Sequence, residues 1–144
     1  MAFLDAHNLY SDAQALTSTA ASTNLIDHGV DGNLGIGEPM VVVLSLDVAA
    51  DDGNSNETYA VAFQSDDNSS FSSATTVGSA TITRGDAAGT KYYIPIPPST
   101  TMERYSRINY TLGGTSPSVT VTARLVPQSF LQNDQYYASG YTVS

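Results

Sequence analysis

The sequence predicts an all-β chain, an antiparallel β-sandwich or jelly roll of about eight strands, on three observations. First, its apolar runs alternate with period two. In 118–125 Val119, Val121, Ala123 and Leu125 fall on one face, with Ser, Thr and Arg on the other. Successive side chains of a strand point to opposite faces, so such runs are strands with one dry side. Second, Ser and Thr together number 34 while only 13% of residues are charged. Hydroxyl residues suit wet strand faces and turns better than they suit surface helices. Third, polar turn clusters recur at roughly ten- to fifteen-residue intervals, the rhythm of a sandwich.

Met1 to Tyr10 mixes Phe3, Leu4, Leu9 and Tyr10 with polar residues at no fixed period, as an arm does. Residues 11–20 are read as extended, because Thr17 to Thr23 is poor helix material although Ser11 is a fair cap. Leu25-Ile26 is a short strand. Gly-rich turns then lead to a strong strand over 40–49, in which Val42, Leu44, Leu46 and Val48 share a face. A polar loop, 51–56, carries the hairpin signal Asp52-Gly53. Thr58 to Gln64 sets Tyr59, Val61 and Phe63 on one side. Beyond a turn at 65–70, short strands at 75–77 and 80–83 are separated by Gly78. Lys91 to Ile96 is an edge strand, since Pro95 lacks the amide proton an interior strand needs. In 104–112 Ser106, Ile108, Tyr110 and Leu112 oppose Tyr105, Arg107, Asn109 and Thr111. Gly113-Gly114 and Pro117 form a hairpin-like link to the last strand, which Pro127 stops. The sandwich with its arm therefore occupies 1–126 and a tail occupies 127–144.

The 144 residues are enough for one domain. No cysteine is present, so stability rests on packing or assembly. Residues 1–7 lack a basic and then apolar leader, and no apolar run reaches the length of a membrane span. A soluble chain that folds where it is made is expected. The net charge of −9 is uneven: residues 1–83 carry eleven acidic and no basic residues, and 84–144 carry five basic and three acidic. Phosphate backbones repel such a chain, so no nucleic-acid partner is expected. The asymmetry either keeps the fold soluble or offers opposite surfaces to neighbouring subunits.

Chemistry-bearing constellations are sparse. Asp51, Asp52, Asn54, Asn56 and Glu57 supply oxygens but not at EF-hand spacing, and Asp66-Asp67-Asn68 is a weaker set, so no metal is expected. Asp27-His28 is an acid beside a base without any Gly-x-Ser-x-Gly elbow, and His7 lies in the arm. No catalytic residue and no cofactor are assigned, and an enzyme is not expected. Arg104 and Arg107 lie three apart, on opposite faces of a strand: one is placed to pair with an acid of the sheet, the other to meet a partner. Phe130, Leu131, Tyr136, Tyr137 and Tyr141 lie beyond the last strand with little charge around them. Aromatics so placed either fold back on their own domain or pack on a neighbour.

Several blocks in order carry a family resemblance: Phe3-Leu4-Asp5-Ala6, Tyr10 to Thr17, Thr19 to Asp27, Gly35-Ile36-Gly37-Glu38-Pro39, Gln64-Ser65-Asp66-Asp67 and Glu103 to Thr111. Over residues 1 to about 126 the chain resembles capsid cement (decoration) proteins of short-tailed bacteriophages, the group typified by the Bordetella-phage cement protein. The resemblance implies a jelly roll with extended ends, dimeric on the shell, that bridges major capsid protein subunits on the outside of the head. Such a protein is made in the cytoplasm of a bacterial host. Candidate capsid or dimer contacts are then Phe3, Leu4, Tyr10, Arg104, Arg107, Phe130, Tyr136, Tyr137 and Tyr141. The alternative is a carbohydrate-binding sandwich, for example a virion-borne reader of host glycans, with Tyr92, Tyr93 or Tyr105 as stacking platforms.

Overall fold

The computed structural model describes residues 9–29, 32–33, 40–96 and 101–127. Its described strands are β1 (Leu9–Leu16), β2 (Ala20–Ala21), β3 (Ile26–Asp27), β4 (Gly32–Asn33), β5 (Met40–Val48), β6 (Thr58–Asp66), β7 (Thr75–Ile82), β8 (Lys91–Ile96), β9 (Thr101–Met102), β10 (Tyr105–Gly113) and β11 (Val119–Pro127). One sheet runs β1-β11-β5-β8. The other runs β2-β10-β6-β7, with β3 also on β10, and β4 pairs with β9 alone. Every pairing is antiparallel. Strands that follow one another mostly change sheet, and β6 to β7 is the one hairpin among the described residues. That alternation is the double-sheet jelly roll.

The inward faces are largely those the alternation predicts. Val42, Leu44, Phe63, Ile94, Ile108, Val121 and Ala123 are wholly buried, and Tyr59, Val61, Leu46, Val119 and Leu125 nearly so. Val48 departs from its predicted face and is 56% exposed. The register explains it: Val121 opposes Leu46 while Thr120 opposes Val48, so Asp47 is an extra residue that reverses the alternation. β8 is an edge strand, with Pro95 opposite Val41.

Three local expectations are corrected. The loop at Asp52-Gly53 and the link at Gly113-Gly114 do not close hairpins; each carries the chain from one sheet to the other. The two loops also hold each other. Asn56 Nδ2 donates to Thr115 Oγ1 at 3.1 Å, and the Thr115 amide donates to Asn56 Oδ1 at 3.0 Å. Gly114 makes this approach possible, because a Cβ there would stand 2.4 Å from the Asn56 carbonyl oxygen and its φ is +90°. Gly78 does not divide a strand either. β7 is continuous, and a Cβ at Gly78 would meet Ile94 Cγ2 at 2.7 Å, so glycine lets the two sheets approach along this side.

The arm expected over 1–10 ends sooner than predicted. Leu9 and Tyr10 begin β1, which pairs with β11 through two register shifts, and Ala13 within it has φ +46°. Leu9 opposes Arg124 and Ser11 opposes Ala123, so two steps on β1 match one on β11. This bulge turns Tyr10 and Ser11, neighbours in sequence, into the interior together, both at 0% exposure.

Truncation of a filled core position removes contacts that the surroundings only partly replace. Leu44→Ala and Ile108→Ala are each expected to cost about 2–5 kcal/mol, read from urea unfolding curves. Curves matching the wild type for both would mean these faces are not the load of the core.

Candidate functional site

The residues expected to meet a partner separate into three groups. Phe3, Leu4, Phe130, Tyr136, Tyr137 and Tyr141 lie outside the described residues. Tyr10 is not a surface contact: its ring packs edge-on to Phe63 of the opposite sheet at 5.8 Å, and it is fully buried. The bulge of β1 is what carries it inward. The two arginines are at the surface, and each is already engaged.

Arg104 pairs with Asp27 through two parallel bonds, Nε to Oδ1 at 2.8 Å and Nη2 to Oδ2 at 2.9 Å, with its guanidinium 5.0 Å from the Tyr105 ring centre. The Arg104 bonds, with the Gly29 amide, hold the Asp27 carboxyl down to about 2. Arg107 donates to Gln64 Oε1 at 3.0 Å and lies 4.4 Å over Phe71. Sequence reasoning anticipated a sheet acid for one arginine and missed Phe71, a buried aromatic with φ +55° in the loop after β6.

Two buried carboxylates bracket β6. Asp66, at 0% exposure, accepts the amides of Asn68 at 3.1 Å and Ser73 at 2.7 Å. Glu57, 2% exposed, accepts those of Asn54 at 2.9 Å and Asn56 at 3.2 Å. Burial works to raise both carboxyls, and the backbone donors prevail, holding each below the ordinary range. Asp66, Asp67 and Glu103 bring one oxygen each to within 4.8 Å of one another, a spacing a hard cation accepts. The buried member of that trio, however, turns both oxygens to the loop 67–74 and orders it.

An open cleft of about 570 Å³ lies at the end of β6 and β7, where Arg84 and Asp52 form a 2.8 Å ion pair beside Glu57, Thr81 and Thr83. Its one aromatic, Tyr59, is 1% exposed and presents no stacking face. The three tyrosines proposed as sugar platforms do not meet. Tyr92 packs at the edge of the core, Tyr93 alternates with it, and Tyr105 belongs to the other sheet.

The feature that organises the interior is a polar chain sequence reasoning missed. Tyr10 Oη lies 2.7 Å from Ser106 Oγ, and Ser106 Oγ lies 2.8 Å from His28 Nε2. Nearby, Ser11 Oγ donates to Gln14 Oε1 at 2.7 Å and lies 2.8 Å from Tyr110 Oη. A neutral imidazole with its proton on Nδ1 lets Tyr10 donate to Ser106 and Ser106 donate to Nε2, so each hydroxyl donates once. Burial pushes the Tyr10 and Tyr110 hydroxyls up, and it pushes His28 down against the opposing pull of Asp27. The signal in the sequence was Ser106 itself, a hydroxyl on an otherwise apolar inward face.

The fold and these internal pairings define a jelly-roll body in which Arg104 and Arg107 are engaged by Asp27 and Gln64 of the same chain. Residues 10–125, nearly the whole sandwich, match the Bbp16 family, a family of Bordetella phage proteins, and the chain belongs to it. It is a phage protein, and that membership points to a structural component of the particle. No curated protein matches the chain.

The lowered pKa of His28 fixes a pH dependence. The unfolded chain takes up a proton near pH 6.5, above the folded value, so stability from neutral His28 is full above about 6.5 and is lost as pH falls toward the folded pKa. Carboxylates held low, at Asp27, Glu57 and Asp66, act only at more acid pH. Melting followed between pH 7.5 and 5 is expected to show a decline that His28→Gln largely removes. An equal decline in the variant would assign it to other groups.

Proposed function

We propose that this protein is a capsid cement protein, which binds the outside of a phage head and stabilises it by bridging major capsid protein subunits. The observation that carries the reading is the Bbp16 family match across the jelly roll. The physical case agrees with it. A cement protein needs a body that does not deform under load, and this sandwich joins its sheets by aromatic packing and buried hydrogen bonds. It needs only modest contacts, because many copies on one shell multiply weak attachments. Both chain ends leave one end of the four-stranded sheet: Leu9 opposes Arg124, and Pro127 opposes Met40. Phe3 and Leu4 precede β1, an edge strand of that sheet, and are the apolar residues this reading assigns to a neighbour.

The working form is a homodimer, which covers edge strands that otherwise invite pairing. The role calls for no catalysis, cofactor, nucleic acid or membrane. Its partners are the major capsid protein and a second copy of itself.

Co-sedimentation with isolated heads tests the reading. The full chain is expected to bind heads and to raise the temperature at which they rupture. Deleting residues 1–8 is expected to leave the melt of the sandwich unchanged and weaken binding at least tenfold, about 1.4 kcal/mol. Sedimentation of the free protein is expected to give a dimer at micromolar concentration. Failure to bind heads, or binding to a glycan array instead, would overturn the proposal.

A further inference from the structure

Arg104 and Arg107 lie close together in the chain and are held differently. Arg104 gives Nε and Nη2 to both oxygens of Asp27. Arg107 gives only Nε, to the neutral amide oxygen of Gln64 at 3.0 Å, and its guanidinium lies 4.4 Å over Phe71. Its two Nη atoms donate to nothing among the described residues. Arg84 and Arg104 each have a carboxylate, and Arg107 has none among the described residues, although acidic residues outnumber basic ones 14 to 5. Gln64 stands directly across from it on β6, where a glutamate of the same length would close an ion pair. Asp66, two residues further along β6, gives its oxygens to the Asn68 and Ser73 amides instead.

What holds Arg107 also aims it. Ser106 and Ile108 are fully buried, so Arg107 between them points away from the core. Phe71 is buried and its backbone is fixed, with its amide donating to the Asn68 carbonyl at 3.0 Å in the loop that Asp66 orders. The side chain is thus placed before any partner arrives, and the guanidinium edge with both Nη atoms is left over. Two parallel N–H groups on a planar cation match the two oxygens of one carboxylate. Freedom already lost to Gln64 and Phe71 is not lost again on binding.

The surroundings select the partner. Beside Arg107 the outer face of β10, β6 and β7 presents Ala60, Ala62, Ser79, Thr81 and Asn109, all small and uncharged. Arg104, at the end of this face, is neutralised by Asp27. On a chain of net charge −9, Arg107 is therefore a local positive point in a neutral, low-relief surface. One cation so placed suits a single carboxylate and not a run of phosphates, which needs many. We infer that Arg107 is the receptor for one Asp or Glu side chain on the capsid surface, held by the two Nη atoms as a fork. The inference rests on the proposed capsid role and names the chemistry of one contact within it.

Head binding by full-length variants tests it, with melting measured beside it. Arg107→Met keeps the length of the side chain and its contact with the Phe71 ring but has no donor. It is expected to weaken binding at least tenfold with melting little changed. Arg107→Lys keeps the charge without the fork and is expected to recover only part of that loss. Gln64→Glu leaves Arg107 in place and supplies it with a carboxylate from its own chain. That variant is expected to bind as weakly as Arg107→Met and to melt no lower than the wild type, a result a merely structural arginine would not give. Arg84→Met removes the same charge beyond the other end of β7 and is expected to bind like the wild type. Added salt is expected to weaken the wild type more than Arg107→Met. Wild-type binding by either Arg107→Met or Gln64→Glu would overturn the inference and leave the capsid role standing, whereas no binding by the wild type would overturn both. An equal loss in Arg84→Met would assign the effect to net charge and overturn it. So would a loss of self-association with head binding intact, which would put the carboxylate on a second copy.

Discussion

Everything described here depends on how the two sheets are fastened, and the fastening centres on Tyr10. It sits on an edge strand of one sheet yet reaches the other, packing on Phe63 and bonding to Ser106. A bulge makes this possible by directing Tyr10 and Ser11 inward together, so one short stretch places two hydrogen bonds across the interior, to Ser106 and to Tyr110. Apolar burial alone fixes sheets at a distance but says little about their lateral position. Buried hydroxyls that must find partners do fix it, because an unmade bond there costs the full desolvation of the group. His28 closes the chain at its wetter end.

The same economy appears at the loops. Glu57 and Asp66 stand at the two ends of β6, and each gathers amides of the loop it adjoins. Arg104 and Arg107 are drawn onto Asp27, Gln64 and aromatic rings. Charged and polar side chains that looked available for partners in the sequence are largely consumed in shaping this body. For a protein of a phage family, proposed to brace a shell, a stiff body with modest contacts made many times is a coherent design.

Much of the fold was legible because the strands alternate cleanly. The faces of β6, β10 and β11 follow from their periods alone, and Pro95 marks β8 as an edge. What escaped was non-local. The bulges at Asp47 and in β1 each insert one residue, which reverses a face without changing composition: the first turns Val48 away from the face its period predicts, and the second carries Tyr10, read as part of an arm that meets a partner, into the core. Hairpin signals at Asp52-Gly53 and Gly113-Gly114 report a sharp turn and not which sheet the chain enters next. Val41 and Val43 belong to an unbroken run, Val41-Val42-Val43-Leu44, that period-two reading assigns half to solvent. Unbroken runs of that kind mark strands covered on both faces. Ser106 was visible as a polar residue on an apolar face, but its partners lie 96 and 78 residues away in the chain.

The claim that Tyr10 fastens the sheets is tested most directly by a double-mutant cycle on Tyr10→Phe and Ser106→Ala in urea unfolding. The account predicts a coupling of about 0.5–2 kcal/mol between the two substitutions, with each alone destabilising. Additive effects with no coupling would contradict it, and would leave the alignment of the sheets to apolar packing alone.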